Sequence, residues 1–424
     1  MLALLLITFL VLMVLNVPMA FCLLTSSTFY LLCQDHYPLS LIVNRLVDAA
    51  DSYPLLAIPL FILAANIMNH GAITTRLTRF GRSLVGHIPG GLGHVNVVAS
   101  IFFAGMSGSA VADAAGLGKI EIEAMNREGY DPEFSAAITA ASSSIGPIIP
   151  PSIPFVIYGA VAEVSVGSLF IAGIIPGLMM GVALMLMVYY IAKKRGYPSY
   201  PRETLPQIVR SFGDAFPALM TPLLIVGGML SGIFSPTEAA MVAVFYALII
   251  GLLTSRTFNL RDYFNLTLDA VEGTAVIMLI VVASVLFGTV LAHENVSIHI
   301  MKLLAPFAHS TWMTMLAINI FLLIIGCVVE PIISLLIFLP MLLPAAISVG
   351  IHPVQFGVVA VLNLMIGLLT PPVGMVLYIV TDISQLPFEK VARATLVFVW
   401  PLIAVLLLIS FIPELTMFLP RLFM

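Results

Sequence analysis

Ile145-Gly146-Pro147-Ile148-Ile149-Pro150-Pro151 and, 221 residues further on, Ile366-Gly367-Leu368-Leu369-Thr370-Pro371-Pro372 share the pattern Ile-Gly-x-x-x-Pro-Pro inside otherwise apolar stretches. Neither can be a continuous helix, because each proline withholds the N–H that would pair with a carbonyl one turn upstream. Carbonyls orphaned in this way need a side chain, water or a cation. Three serines, Ser142, Ser143 and Ser144, precede the first break, whereas the second keeps Asn363 and Thr370. A plain proline kink is the alternative reading of the first.

The solvent around these breaks follows from composition. Of 424 residues 61% are apolar and 9% charged, against roughly 45–50% and 25% in soluble domains. So few charges cannot cover the surface, so lipid surrounds most of the chain and soluble enzymes and nucleic-acid binders are excluded. Apolar runs of about 20 residues mark helices rather than barrel strands. Spans are expected at 54–68, 134–160, 169–192, 215–233, 239–253, 270–292, 356–380 and 396–412, with residues 2–32 broken in two at Pro18. The first residues carry neither a basic leader nor a small-x-small cleavage site, so no removed signal peptide is expected. Cys22, Cys33 and Cys327 lie in apolar stretches and read as small buried hydrophobes.

The offset of 221 also superposes Gly105 on Gly326, Gly129 on Gly350 and Pro132 on Pro353. A duplication explains all of these together. Two regions interrupted by Gly, Ser or Pro, about 93–125 and 311–350, read as helical hairpins that dip in and return to the same side. Placing 70–92, 117–133, 193–214, 255–269 and 382–395 in the cytoplasm leaves only Arg45, Lys302 and Arg421 of the 17 Lys and Arg outside, a strong positive-inside bias. The amphipathic connectors, 74–84 and near 294–304, then fall on opposite sides. The sequence therefore predicts an all-α polytopic membrane protein of two inverted-topology repeats, 1–194 and 215–424, joined by a cytoplasmic linker at 195–214. Each repeat has a re-entrant hairpin and a broken transmembrane helix (about 134–160 and 356–380), an organisation found in secondary transporters.

Gly105-Met106-Ser107-Gly108-Ser109-Ala110-Val111-Ala112-Asp113 can form an unwound hairpin tip whose hydroxyls and carbonyls replace the water shell of Na⁺. Close helix packing through small residues is the competing reading, but a carboxylate at membrane depth is costly and points to function. In the second hairpin, Gly326-Cys327-Val328-Val329-Glu330-Pro331 keeps one acid, which could equally be a hydrogen-bonded structural group. The candidate sodium ligands are Ser107, Ser109, Ser142, Ser144, Gly146, Gly326, Gly367 and Thr370. Asp113, Glu330, Ser143 and Asn363 are the candidates for substrate binding or coupling. Ser235-Pro236-Thr237-Glu238 reads as a helix start with capping-box spacing. Asp48, Asp51, His87 and Glu163 sit near span ends and read as solvated or interfacial rather than catalytic. No nucleotide-binding Gly-x-x-x-x-Gly-Lys-Ser/Thr, transition-metal cluster or catalytic constellation is present, so neither ATP use nor enzymatic activity is expected.

Residues 105–113, 143–152, 232–240 and 368–374 together resemble, in order and over essentially the whole chain, the large membrane subunit of tripartite ATP-independent periplasmic (TRAP) transporters. The resemblance implies Na⁺-driven import of a small organic acid, such as sialic acid, a C4-dicarboxylate or a related sugar acid, by an elevator-type stroke. It implies two partners, a small four-helix membrane subunit and a periplasmic substrate-binding protein, and a place in the bacterial inner membrane as a multi-pass protein. Ser107, Ser109 and Asp113 match the first functional tip, Ser142 to Gly146 the first unwound segment and Gly367 to Pro371 the second. Glu330 departs from the Asp often found there by one methylene. A stand-alone divalent-anion/Na⁺ symporter is the alternative, although its Ser-Asn-Thr hairpin tips are missing.

Overall fold

The computed structural model describes residues 2–34, 38–70, 73–254, 259–296, 299 and 310–423. Among the described residues all regular structure is helical. Six helices are long and apolar enough to cross a bilayer, seven if the pair around residues 51–52, bent by 50°, is counted as one span. The protein is an all-α polytopic membrane protein.

Leu2–Val14 and Met19–Leu32 are separate helices, split where Asn16 takes a left-handed φ and Pro18 begins the next turn. Leu39–Ala50 and Ala57–His70 follow, then Ile73–Val85, which buries Leu77 and Phe80 while presenting Arg79 and Arg82. The first hairpin runs down Gly91–Ser107, turns at Gly108-Ser109 and returns through Ala110–Gly116 and Gly118–Arg127. The first broken helix is Pro132–Ser143 plus Ile153–Ala162, and the span Val166–Arg195 completes this half. The second half comprises Leu205–Leu230, Pro236–Thr254, Leu260–His293, the hairpin Thr311–Gly326 and Pro331–Ser348, and the broken helix Pro353–Gly367 plus Met375–Ser384. Phe388–Phe411 and Glu414–Phe423 close the chain. The amphipathic connector expected near 294–304 lies largely outside the described residues.

Three local expectations change. The linker is extended only from about 197 to 204, because Thr204 and Gln207 form a capping box, with the Thr204 N–H donating to Gln207 Oε1 at 2.8 Å, and start a helix inside it. Leu260–His293 has 34 residues, about 51 Å, and so begins well before the apolar run at Ala270. Of the cysteines only Cys22 is buried, while Cys33 is exposed and Cys327 sits half-buried at the second hairpin tip. The helix start at Pro236 is as expected: the Ser235 N–H donates to Glu238 at 2.7 Å, and the Glu238 N–H to Ser235 Oγ at 3.4 Å.

Burial separates centre from periphery. Every residue of the helix Pro353–Gly367 from Val354 onward is buried, as is nearly all of Gly91–Ser107. A helix that is apolar and buried all round belongs in a core. Leu223, Phe245, Leu253 and Val276, by contrast, leave apolar side chains exposed on the outer helices, as lipid-facing positions do.

The hairpins pack on the breaks through backbone. A Cβ on Gly367 would stand 2.4–2.6 Å from the backbone of Gly326, and one on Gly108, which has φ +60°, 2.5 Å from the Pro151 carbonyl oxygen. Only glycine allows such approaches. Gly367→Ala is therefore expected to lower the thermal unfolding midpoint in detergent by the equivalent of about 1–3 kcal/mol. Gly227→Ala, whose Cβ would meet open space, should leave it unchanged or slightly raised.

At the predicted cytoplasmic face, Asp131 accepts from Tyr197 (2.6 Å) and pairs with Arg195, and the Tyr130 hydroxyl donates to the Pro198 carbonyl at 3.1 Å. The Tyr197 hydroxyl, and after it Arg195, hold the Asp131 carboxyl below its ordinary range. The stabilisation this gives is complete above the unfolded pKa of about 4 and is lost below it, as pH falls through the lower folded value. Asp131→Asn should accordingly flatten the acid-side loss of the melting midpoint, by no more than about 1 kcal/mol for so exposed a pair.

Candidate functional site

The two hairpin tips meet their own broken helices by matching backbone bonds. The Ile153 N–H donates to the Gly108 carbonyl at 3.4 Å, and the Val373 N–H to the Cys327 carbonyl at 3.1 Å. Between the tips lies a cavity of about 80 Å³, bordered by Ser109 and Val111 of one tip, Glu330 and Ile332 of the other, and Pro147 and Leu368 of the breaks. Ile277 of the long helix Leu260–His293 forms its outer wall.

The tip residues divide by what their side chains touch. Ser109 caps the return arm, its Oγ accepting from the Ala112 N–H at 3.4 Å, and its carbonyl oxygen lies 3.3 Å from where a Cβ on Gly146 would sit. Ser107 is buried and its Oγ has no hydrogen-bond partner. Glu330 caps the second return arm, with Oε2 accepting from the Ile333 N–H at 3.2 Å, while bordering the cavity. It is thus both a structural acid and a cavity wall. Asp113, one turn beyond Ser109, is buried beside Ser100 rather than in this cavity, and its Oδ2 has no hydrogen-bond partner.

Residues flanking the breaks turn inward. The Ser143 and Ser144 hydroxyls donate to the carbonyls of Ala140 (2.8 Å) and Ala141 (2.6 Å), and Thr370 to that of Ile366 (2.8 Å). Gly326 and Gly367 supply the backbone crossing already described. Ser142 donates to Asn96 Oδ1 at 2.6 Å, and Asn96 in turn donates to Thr139 at 2.7 Å. In the second half Asn363 donates to the Asn319 carbonyl and Oδ1, both at 3.0 Å, and Asn319 donates to Ser410 at 2.8 Å. Ser142 and Asn363 are matched by the 221-residue offset, so each half ties the approach to its break onto the descending arm of its hairpin through one asparagine.

Sequence reasoning missed Asn96 and Asn319. An amide inside an apolar run was the available signal. It also missed Glu121, which is buried on the first return arm with both carboxyl oxygens lacking a hydrogen-bond partner. Asn96→Ala would remove its bonds to Ser142 and Thr139, leaving those hydroxyls only the Thr139 and Ser135 carbonyls of their own helix, and an unfolding penalty of about 1–3 kcal/mol is expected. Asn96→Gln should recover only part of it, as read by melting in detergent.

The chain matches the model of the family described as "Tripartite ATP-independent periplasmic transporter, DctM component" over residues 6–415. It is 42% identical over 409 residues to the sialic acid TRAP transporter large permease protein SiaM of Vibrio cholerae, covering 96% of each chain. It is 38% identical over 377 residues to the C4-dicarboxylate TRAP transporter large permease protein DctM of Pseudomonas aeruginosa, covering 89% of this chain and 88% of that one. Among solved structures, the YdaH transporter of Alcanivorax borkumensis shares the fold, with a TM-score of 0.62 at 14% identity over 92% of this chain and 95% of that one. Two broken helices capped by hairpin tips, in a chain that matches this family from end to end, leave one assignment: the protein belongs to the tripartite ATP-independent periplasmic transporters, as a large permease subunit of the DctM type.

Proposed function

We propose that the chain imports a small organic acid, coupled to Na⁺, by an elevator stroke of a body made of both hairpins and both broken helices. The observation that carries this reading is the cavity between the two tips, each tip bonded to the break of its own broken helix. Sodium is held by weakly charged oxygens, and unwound backbone is their usual source in ion-coupled transporters. The Ser109 carbonyl beside Gly146 and the unpartnered Ser107 hydroxyl are suited to that task. Sodium bound there would brace the first tip and break, complete an anion site between the tips, and let the loaded body move. Asp113 and Glu330 then set the charge that the ion and the substrate acid must balance.

Two partners belong to this reading: a small membrane subunit, and a periplasmic binding protein that delivers the acid. The inner membrane and the cytoplasmic placement of 70–92 and 193–214 belong to it as well. The whole-chain relatives carry large-permease names, which favours this reading over the stand-alone symporter. Sialic acid is the first substrate to try, since it is the one in the name of the Vibrio cholerae relative.

The test is uptake of labelled N-acetylneuraminate and of succinate into proteoliposomes holding this chain and its small subunit, with the binding protein outside. An inward Na⁺ gradient should drive accumulation that a K⁺ gradient does not. Ser107→Ala and Asp113→Asn should each lower it by about tenfold or more. Uptake indifferent to Na⁺, or a wild-type Na⁺ response in both variants, would reject the coupling site.

A further inference from the structure

A second and larger cavity, about 670 Å³, shares three bounding elements with the cavity between the tips. Along Leu260–His293 the small cavity touches Ile277, and the large one begins a turn further on at Val281 and continues to His293. Along the second return arm the small cavity touches Pro331 and Ile332, the large one Leu336 and Pro340. Along the first broken helix the order is Ile153 and Pro154, then Ala160 to Glu163. Three elements therefore lead from one cavity to the next in the same direction, toward the end of the molecule that the positive-inside bias places outside.

The lining of the large cavity differs in kind from that of the small one. Arg45 and Asp48 come from Leu39–Ala50, Glu163 from the end of the first broken helix, and Ser284 and Thr289 from the long helix. Ser284 is fully buried and its Oγ has no hydrogen-bond partner. Gly288, one turn on, lines the cavity, and a Cβ there would meet open space.

We infer that this cavity is a loading vestibule, in which a hydroxyl-bearing monocarboxylate is held by Arg45, Asp48, Glu163 and Ser284 before it reaches the tips. The inference rests on the import reading above. A guanidinium pairs with one carboxylate, whereas Asp48 and Glu163 accept from hydroxyls and offer nothing to a second carboxylate. One positive and two negative side chains leave an excess negative charge at the mouth, which repels a dianion about twice as strongly as a monoanion, and only a polyhydroxylated monoanion offsets that repulsion by donating hydroxyls to the two carboxylates. Sugar acids are thus favoured over plain dicarboxylates at this step.

The experiment uses the complex with its small subunit in sealed vesicles of known orientation. Thr289→Cys is treated with a membrane-impermeant thiosulfonate from outside, and modification at residue 289 is read by peptide mass spectrometry. Modification is expected, slowed at least about threefold by N-acetylneuraminate and not by an equal concentration of succinate. Arg45→Ala in the same background should abolish the slowing by N-acetylneuraminate. Gly288→Phe should lower uptake about tenfold or more by filling the space, whereas Val276→Phe, at an exposed position on the same helix, should not. No modification from outside, or a rate indifferent to either acid, overturns the vestibule, and equal slowing by succinate overturns its selectivity. Labelling does not depend on uptake, so a complex that fails to accumulate acid but shows protected labelling counts against the import reading and not against the vestibule.

Discussion

Backbone polar groups away from water must find partners, and this chain contains two places where a helix stops inside the buried core. Both are closed in the same way. A hairpin tip is laid against the break so closely that glycine is required, at Gly108 in one half and at the Gly326–Gly367 crossing in the other. The tip carbonyl then accepts an N–H from the far side of the break. Much else follows from that arrangement: the buried descending arms, the asparagine ties behind them, and a cavity confined to the space the two tips leave.

The two halves solve the problem with different chemistry. The first surrounds its break with hydroxyls and keeps Ser107 unpartnered nearby, while the second is almost wholly apolar and contributes Glu330 at the tip. Yet the tie behind each break is alike, Asn96 to Ser142 and Asn319 to Asn363. Gly129 and Gly350 share a φ of 84° at the turns leading into the two broken helices. The turns and ties of the two halves are thus alike while their tips differ.

Much of the fold was legible because its determinants are local. Proline pairs announce breaks, Ser235 with Glu238 announces a cap, and apolar length announces a span. The start of a helix inside the supposed linker was less visible, since Leu205, Val209 and Phe212 form an apolar stripe too sparse to register as a span. The site was legible in outline only. Sequence places Asp113 and Ser109 on one motif, but it cannot show that one turn of helix carries the carboxylate away from the cavity that Ser109 borders. Asn96, Asn319 and Glu121 owe their interest to what is packed around them, which no spacing rule encodes.

The long helix Leu260–His293 places Ser284, Gly288 and Ala292 at successive fourth positions, where they line one wall of the larger cavity opposite Leu336 and Pro340 of the second hairpin. Helices interlock because ridges of side chains sit in one another's grooves, and the depth of interlock depends on side-chain size. Ser, Gly and Ala form a nearly smooth stripe, flanked on the same wall by Val281, Val285, Thr289 and His293. With few knobs to seat in holes, the small residues that keep a cavity open also leave this wall only shallowly interlocked.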